Sequence, residues 1–98
     1  MTKIIDARFI GKWQGCDDGK VTEGEINYWK VTRTSEGKFE IYFETHYNNG
    51  IQERSFENGF WYVENHVFYE YRESYEQTDA YKFEFISSQI IQFIEMNS

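Results

Sequence analysis

The stretch Lys38–Tyr47, with the sequence KFEIYFETHY, decides the fold class of this chain. Apolar and polar side chains alternate along it with period two, which is typical of a β-strand with one buried and one wet face. The predicted inner face carries Phe39, Ile41, Phe43, Thr45 and Tyr47, and the predicted outer face carries Glu40, Tyr42, Glu44 and His46. The sequence therefore predicts an all-β fold.

Turn signals flank this strand and repeat along the chain. Ser35-Glu36-Gly37 precedes it and Asn48-Asn49-Gly50 follows it, and Asn-Gly is a strong hairpin signal. Glu57-Asn58-Gly59 is predicted to be a further turn, which separates an exposed strand at residues 51–56 from another at 60–64. The remaining strands are predicted to start at Trp13 and to cover residues 27–34, 67–73, 80–86 and 89–95.

Short connections favour antiparallel pairing between consecutive strands. The chain is therefore predicted to be an up-and-down meander of about eight short strands that forms a closed or nearly closed barrel. A two-sheet sandwich is the alternative. Residues 2–10 fit either a short helical lead-in or an extended arm.

Composition limits the function classes. The 98 residues, with three Trp, eight Tyr and nine Phe, are predicted to form a single domain over residues 1–98. A net charge of −7 argues against a nucleic-acid partner and is compatible with a basic protein partner. The acidic segment at residues 17–25 is a candidate docking surface for such a basic partner.

The single Cys16 excludes an internal disulfide. No apolar run is long enough to predict a membrane helix, and a cytoplasmic location is expected. Oligomeric state is not indicated.

Three short motifs resemble those of lipocalins and their calycin relatives. Gly11-Lys12-Trp13 is similar to the G-x-W signature that opens the lipocalin barrel, and Gly59-Phe60-Trp61 is a second instance. Thr78-Asp79-Ala80-Tyr81 resembles a stretched form of the T-D-Y loop motif. The resemblance implies a lipocalin-like barrel in which Gly11 and Trp13 close one end. The chain departs from the family in its short length and in having no Arg within residues 89–98.

The predicted inner face suggests a binding site. Its aromatic rings and one arginine are predicted to line a cavity for a small apolar or aromatic ligand, although the same rings could instead fill the barrel. These candidate ligand-binding residues are Trp29, Arg33, Phe39, Phe43, Tyr69, Tyr81 and Phe83.

The alternative hypothesis is an acidic interaction module of the inhibitor or immunity type. Its candidate surface anchors are Tyr28, Tyr42, Trp61 and Tyr62. An enzyme ranks last, because the acids Glu40, Glu44, Glu70 and Glu84 are predicted to face solvent, and no catalytic residue or cofactor is predicted. Glu44 and His46 share a strand face, but two ligands do not predict a metal site.

Overall fold

The protein is described by a computed structural model that covers residues 3–17 and 24–96. Within this part, a short 3-10 helix at Ala7–Phe9 precedes seven strands. The strands are β1 (Gly11–Asp17), β2 (Glu25–Arg33), β3 (Lys38–Tyr47), β4 (Gln52–Glu64), β5 (Val67–Arg72), β6 (Gln77–Ser87) and β7 (Ile90–Glu95). No helix in the described residues is both long and apolar enough to cross a membrane.

The seven strands form one antiparallel meander in sequence order, as the short connections predict. The sheet curls into an open half-barrel. Each strand pairs with its neighbours in the sequence, and no pairing joins β1 to β7 in the parts of these strands that are described. The expected barrel closure is therefore not found there.

The predicted count of eight strands is wrong for the described chain, because two predicted strands are one. Residues 51–56 and 60–64 belong almost entirely to β4, and the predicted turn at residues 57–59 lies inside that strand. The first part of β4 pairs with β3 up to Phe60, and the last part, from Gly59, pairs with β5. β4 is long because it exchanges one partner strand for the other near Gly59.

The turns that do form use the residues that their backbone requires. Asn65 and His66 link β4 to β5 and both have positive φ angles (53° and 63°), as a type I′ hairpin turn needs. Gly37 and Gly50 have φ angles of 79° and 87° in the neighbouring hairpins. At these two positions the left-handed backbone favours glycine, which has no Cβ to clash.

The N-terminal segment combines the two conformations that the sequence left open. Ile4 is extended and pairs with Val63, each backbone N–H donating to the other residue's carbonyl at 2.8 Å. The 3-10 helix then turns the chain so that Phe9, which is completely buried, enters the concave side of the sheet. The buried apolar core consists of Phe9, Val31, Phe39, Ile41, Trp61, Val63 and Phe68.

Candidate functional site

A groove of about 490 Å³ lies on the concave face of the half-barrel. Its size is within the usual range of small-molecule sites, roughly 300–1,000 Å³. Most of its lining is apolar, and charged side chains come from β2 and β5. The lining residues are Trp13, Gln14, Gly15, Trp29, Val31, Arg33, Ile41, Phe43, Phe68, Glu70, Arg72, Tyr81, Gln89, Ile90, Ile91 and Phe93.

Four of the seven candidate ligand-binding residues line this groove: Trp29, Arg33, Phe43 and Tyr81. Two others pack in or against the core instead. Phe39 is 1% exposed, and the Phe83 ring meets the Phe9 ring edge-on with their centroids 4.9 Å apart. Their inward direction agrees with the sequence pattern, but the depth at which they sit could not be read from that pattern.

Tyr69 lies on the other face of the sheet, so its predicted inward placement is wrong. Its ring stacks on that of Tyr62, with centroids 5.0 Å apart. The inward side chains of β5 are instead Phe68, Glu70 and Arg72. Both faces of this strand carry aromatic rings, and the two charges made the wrong face look like the solvent side.

The two candidate barrel-closing residues lie where the N-terminal segment enters β1. Gly11 has a φ angle of 125°, which residues other than glycine rarely adopt. The Trp13 indole N–H donates a hydrogen bond of 2.9 Å to the carbonyl of Phe9, and its ring lines the groove. Trp13 therefore connects the buried N-terminal turn to the groove.

Glycine at position 15 makes room for one wall of the groove. Gly15 pairs with Trp29 across β1 and β2, and a Cβ atom at this position would overlap the Trp29 indole. The absence of a side chain thus allows the indole to lie flat over β1. Sequence reasoning did not select Gly15, although a glycine inside a strand is a signal of close approach.

Replacement of Gly15 by alanine should displace the Trp29 indole. We expect a loss of about 1–3 kcal/mol in the free energy of unfolding, as for other overpacked sites, with changes in near-UV circular dichroism and tryptophan emission. Urea titration and both spectra measure this, with Gln14→Ala at the exposed neighbouring position as control. Unchanged spectra and stability for Gly15→Ala would contradict the close packing.

Two charged side chains of β5, Glu70 and Arg72, form a polar wall of the groove, and Arg72 also lies close to Asp79 of β6. Arg72 Nη2 donates to Glu70 Oε1 at 3.3 Å, and Arg72 Nε lies 3.5 Å from Asp79 Oδ2. Glu70 is 5% exposed, so the prediction that it faces solvent is wrong. The ion pair with Arg72 provides the physical reason that a carboxylate can be buried here.

Burial shifts the pKa values of two groups at this polar wall. It raises the pKa of the Glu70 carboxyl, while Arg72 and Arg33 act in the opposite direction. It also raises the pKa of the Tyr81 hydroxyl to about 12, with a further contribution from the nearby carboxylates of Glu70 and Asp79. Tyr81 is therefore protonated at neutral pH and can donate a hydrogen bond into the groove.

Arg33 is the most deeply buried charged side chain that contacts the groove after Glu70. Its guanidinium lies over the rings of Phe68 and Phe93, 4.9 and 5.4 Å from their centroids. Burial lowers the pKa of the Arg33 guanidinium to about 10, although Glu70 favours the charged form. This pKa is well above neutral, so Arg33 carries a positive charge at pH 7.

A second depression of about 500 Å³ includes side chains on the convex face. Its lining includes Tyr28, Lys30, Tyr42 and Glu44. His46 lies nearby, with Nε2 3.0 Å from Glu44 Oε1. In the described ranges, no group of three or more His, Cys, Asp or Glu side chains is placed to hold a metal ion.

The surface anchors of the alternative hypothesis have different environments. Tyr28 is 41% exposed, Tyr42 and Tyr62 are half-buried, and Trp61 is only 1% exposed. Trp61 is therefore a core residue and not a surface anchor. Most of the candidate acidic docking segment, residues 18–23, lies outside the described residues.

The comparisons with known proteins assign no family to this chain. No protein-family model, no curated protein and no solved structure matches this chain.

Proposed function

We propose that this protein binds a small apolar or aromatic ligand in the groove on its concave face. The observation that supports the proposal is the groove itself, about 490 Å³ in volume and lined by aromatic side chains that β1, β2, β3, β5, β6 and β7 contribute. Rings that filled the half-barrel completely would leave no such volume. A mostly apolar groove with a few converging polar groups is typical of small-molecule sites.

A lipocalin-like architecture is part of this proposal. The up-and-down order of the strands supports it, as does the position of Gly11-Lys12-Trp13 at the beginning of β1. The contact of Trp13 with the buried N-terminal turn also resembles the role that the G-x-W signature implies. A closed barrel, as in lipocalins, would require β1 and β7 to approach each other.

The neutral dye N-phenyl-1-naphthylamine tests the proposed groove function. We expect saturable binding of one dye per chain, detected as a rise in dye fluorescence. Phe43→Ser should weaken binding about tenfold, since the loss of apolar contact between the dye and the half-buried Phe43 ring is worth about 1.5 kcal/mol. Phe56→Ser is the matched control, because Phe56 is 78% exposed and follows the residue that pairs with Phe43. We expect this control to change affinity less than about twofold.

An acidic protein-interaction module is the second candidate function, with a basic partner bound through the convex face. The observation in its favour is the exposure of Phe56 and Phe60, which are 78% and 44% accessible. Phe56 also packs against Tyr42, with ring centroids 5.1 Å apart. If Phe56→Ser abolishes dye binding while Phe43→Ser leaves it intact, the apolar binding surface is convex and the groove proposal is wrong.

A further inference from the structure

Arg33 is a buried cation that has no charged partner among the described residues. The residue is 6% exposed, and its Nε and Nη1 atoms have neither a hydrogen-bond partner among the described residues nor contact with solvent. Ion pairs in the described chain involve Arg8, Arg54, Arg72 and His46, and none involves Arg33. Burying a charge without a partner is costly, so such a group suggests a functional site when it borders a cavity.

The neighbours of Arg33 do not neutralise it by direct contact. Glu70 accepts a hydrogen bond from Arg72, and Arg72 also lies close to Asp79, so these three side chains form their own cluster. The rings of Phe68 and Phe93 flank the Arg33 guanidinium and provide cation–π attraction. They cannot accept conventional hydrogen bonds, so Nε and Nη1 keep unused donor capacity just beneath the surface of the groove that Arg33 lines.

We propose that the groove selects ligands that carry one carboxylate group and that Arg33 binds this group. The proposal rests on the proposed groove function and specifies its ligand class. A guanidinium can donate two parallel hydrogen bonds to a carboxylate, which gives both attraction and orientation. Because Nε and Nη1 are covered in the ligand-free structure, the guanidinium or its flanking rings shift on binding to expose these donors. The apolar body of the ligand then lies against the rings of Trp13, Trp29 and Phe43, which line the same groove.

The charges around Arg33 favour a single negative charge on the ligand. Glu70 and Asp79 belong to the same side of the half-barrel, and Arg72 already pairs with both of them. A ligand carboxylate pairs with the remaining cation, Arg33, while a second negative charge would be repelled by these two carboxylates. A monocarboxylate with an apolar or aromatic body therefore fits the groove better than a dianion such as a phosphate monoester.

Pairs of ligands that differ only in charge test this proposal. Decanoate is compared with decanamide, and 2-naphthoate with 2-naphthamide, by isothermal titration calorimetry at pH 7. The wild-type protein should bind each acid about tenfold to hundredfold more tightly than its amide, as expected for hydrogen bonds to a charged group. Equal affinities for acid and amide would overturn the carboxylate proposal and leave the groove function standing. Absence of binding by all four compounds would overturn both.

Variants of Arg33 identify the group responsible. Arg33→Met should reduce acid affinity to that of the amide and leave amide affinity within about twofold, because methionine keeps the apolar packing but not the charge. Arg33→Lys keeps the charge without the planar fork and should give intermediate acid affinity. Arg54→Met is the control, since the Arg54 side chain is 65% exposed. If Arg33→Met folds and retains selectivity for the acids, Arg33 is not the anion-binding residue.

Stability distinguishes a binding role from a structural role. Because Arg33→Met removes a buried charge that has no charged partner among residues 3–17 and 24–96, the urea midpoint of the ligand-free protein should equal or exceed that of the wild type. A lower midpoint together with weaker amide binding would mean that Arg33 supports the core, and would overturn its assignment as the carboxylate-binding residue. The comparison of acids with amides on the wild-type protein does not depend on whether any variant folds.

Discussion

Replacing Phe9 with alanine should lower the free energy of unfolding by about 3–5 kcal/mol, the usual loss for a buried phenylalanine. Phe9 has no exposed surface, and its ring centroid lies between 4.9 and 6.1 Å from five other aromatic ring centroids. Those rings come from β4, β5, β6 and β7. One side chain therefore joins four strands of an open sheet, and its removal leaves a cavity among rings that cannot easily collapse.

The loss from Phe9→Ala is large compared with the whole stability of a small domain, about 5–15 kcal/mol. Urea titration followed by far-UV circular dichroism measures it. Phe56→Ala is the matched control, because it deletes the same atoms from a side chain that is 78% exposed. We expect that control to change stability by less than about 1 kcal/mol. Similar losses for the two variants would mean that Phe9 does not anchor the core.

Replacing Gly59 with alanine should also destabilise the protein, by about 1–3 kcal/mol or more. Alanine in a strand normally stabilises relative to glycine, because glycine loses more conformational freedom on folding. The sign is reversed here because a Cβ atom at position 59 would overlap the carbonyl oxygen of Tyr71 and lie 2.9 Å from the Phe39 ring. The clash falls where β4 exchanges β3 for β5 as its partner.

The position of Gly59 suggests a second consequence of Gly59→Ala. Because Gly59 pairs with both Phe39 and Arg72, displacement of the strand should disturb the β4–β5 hairpin more than the β3–β4 hairpin. Amide hydrogen exchange should accelerate more for Phe60 and Tyr62, which pair with Tyr71 and Tyr69 of β5, than for Ile41, which pairs with β4. Asn58→Ala is the control at the exposed preceding position. Wild-type exchange rates and stability in Gly59→Ala would disprove the close approach.

The proposed ligand site and the apolar core both lie on the concave side of the half-barrel. The Arg33 guanidinium lies against Phe68, a core residue that is 1% exposed, and also borders the groove. Burying a cation that has no charged partner in the described part of the chain lowers stability, and an anionic ligand of the proposed kind would offset that loss on binding. The packing of Phe9 against its aromatic neighbours stabilises the fold and can offset this loss of stability.

The sequence pattern predicts much of the fold and part of the site. Alternation in Lys38–Tyr47 and the Asn-Gly signal after it correctly indicate a strand and a hairpin. The predicted turn at Glu57-Asn58-Gly59 is wrong because glycine serves two purposes: it allows turns, and it allows close approach inside a sheet. Only the position of the Tyr71 backbone shows which purpose applies at Gly59.

The candidate site, like the fold, was only partly predictable from the sequence. Strand parity correctly predicted that Trp29, Arg33, Phe43 and Tyr81 face inward, because the half-barrel has one concave face and their strands have one clearly apolar side. Parity failed at Tyr69, where both sides of β5 carry rings. There the inward face is decided by the pairing of Arg72 with Glu70 and by contacts with strands distant in sequence.

The amino-acid sequence by itself determined the all-β class, the meander order and most hairpins, because these depend on side-chain alternation and on turn residues that are local in the chain. Tertiary structure alone decided that β4 is one long strand, that Phe9 enters the core, and that Glu70 and Arg72 point inward. It also decided that Arg33 is buried without a charged partner among the described residues. These features depend on which surfaces meet across the half-barrel, and the free energy of those contacts is not encoded in any single segment.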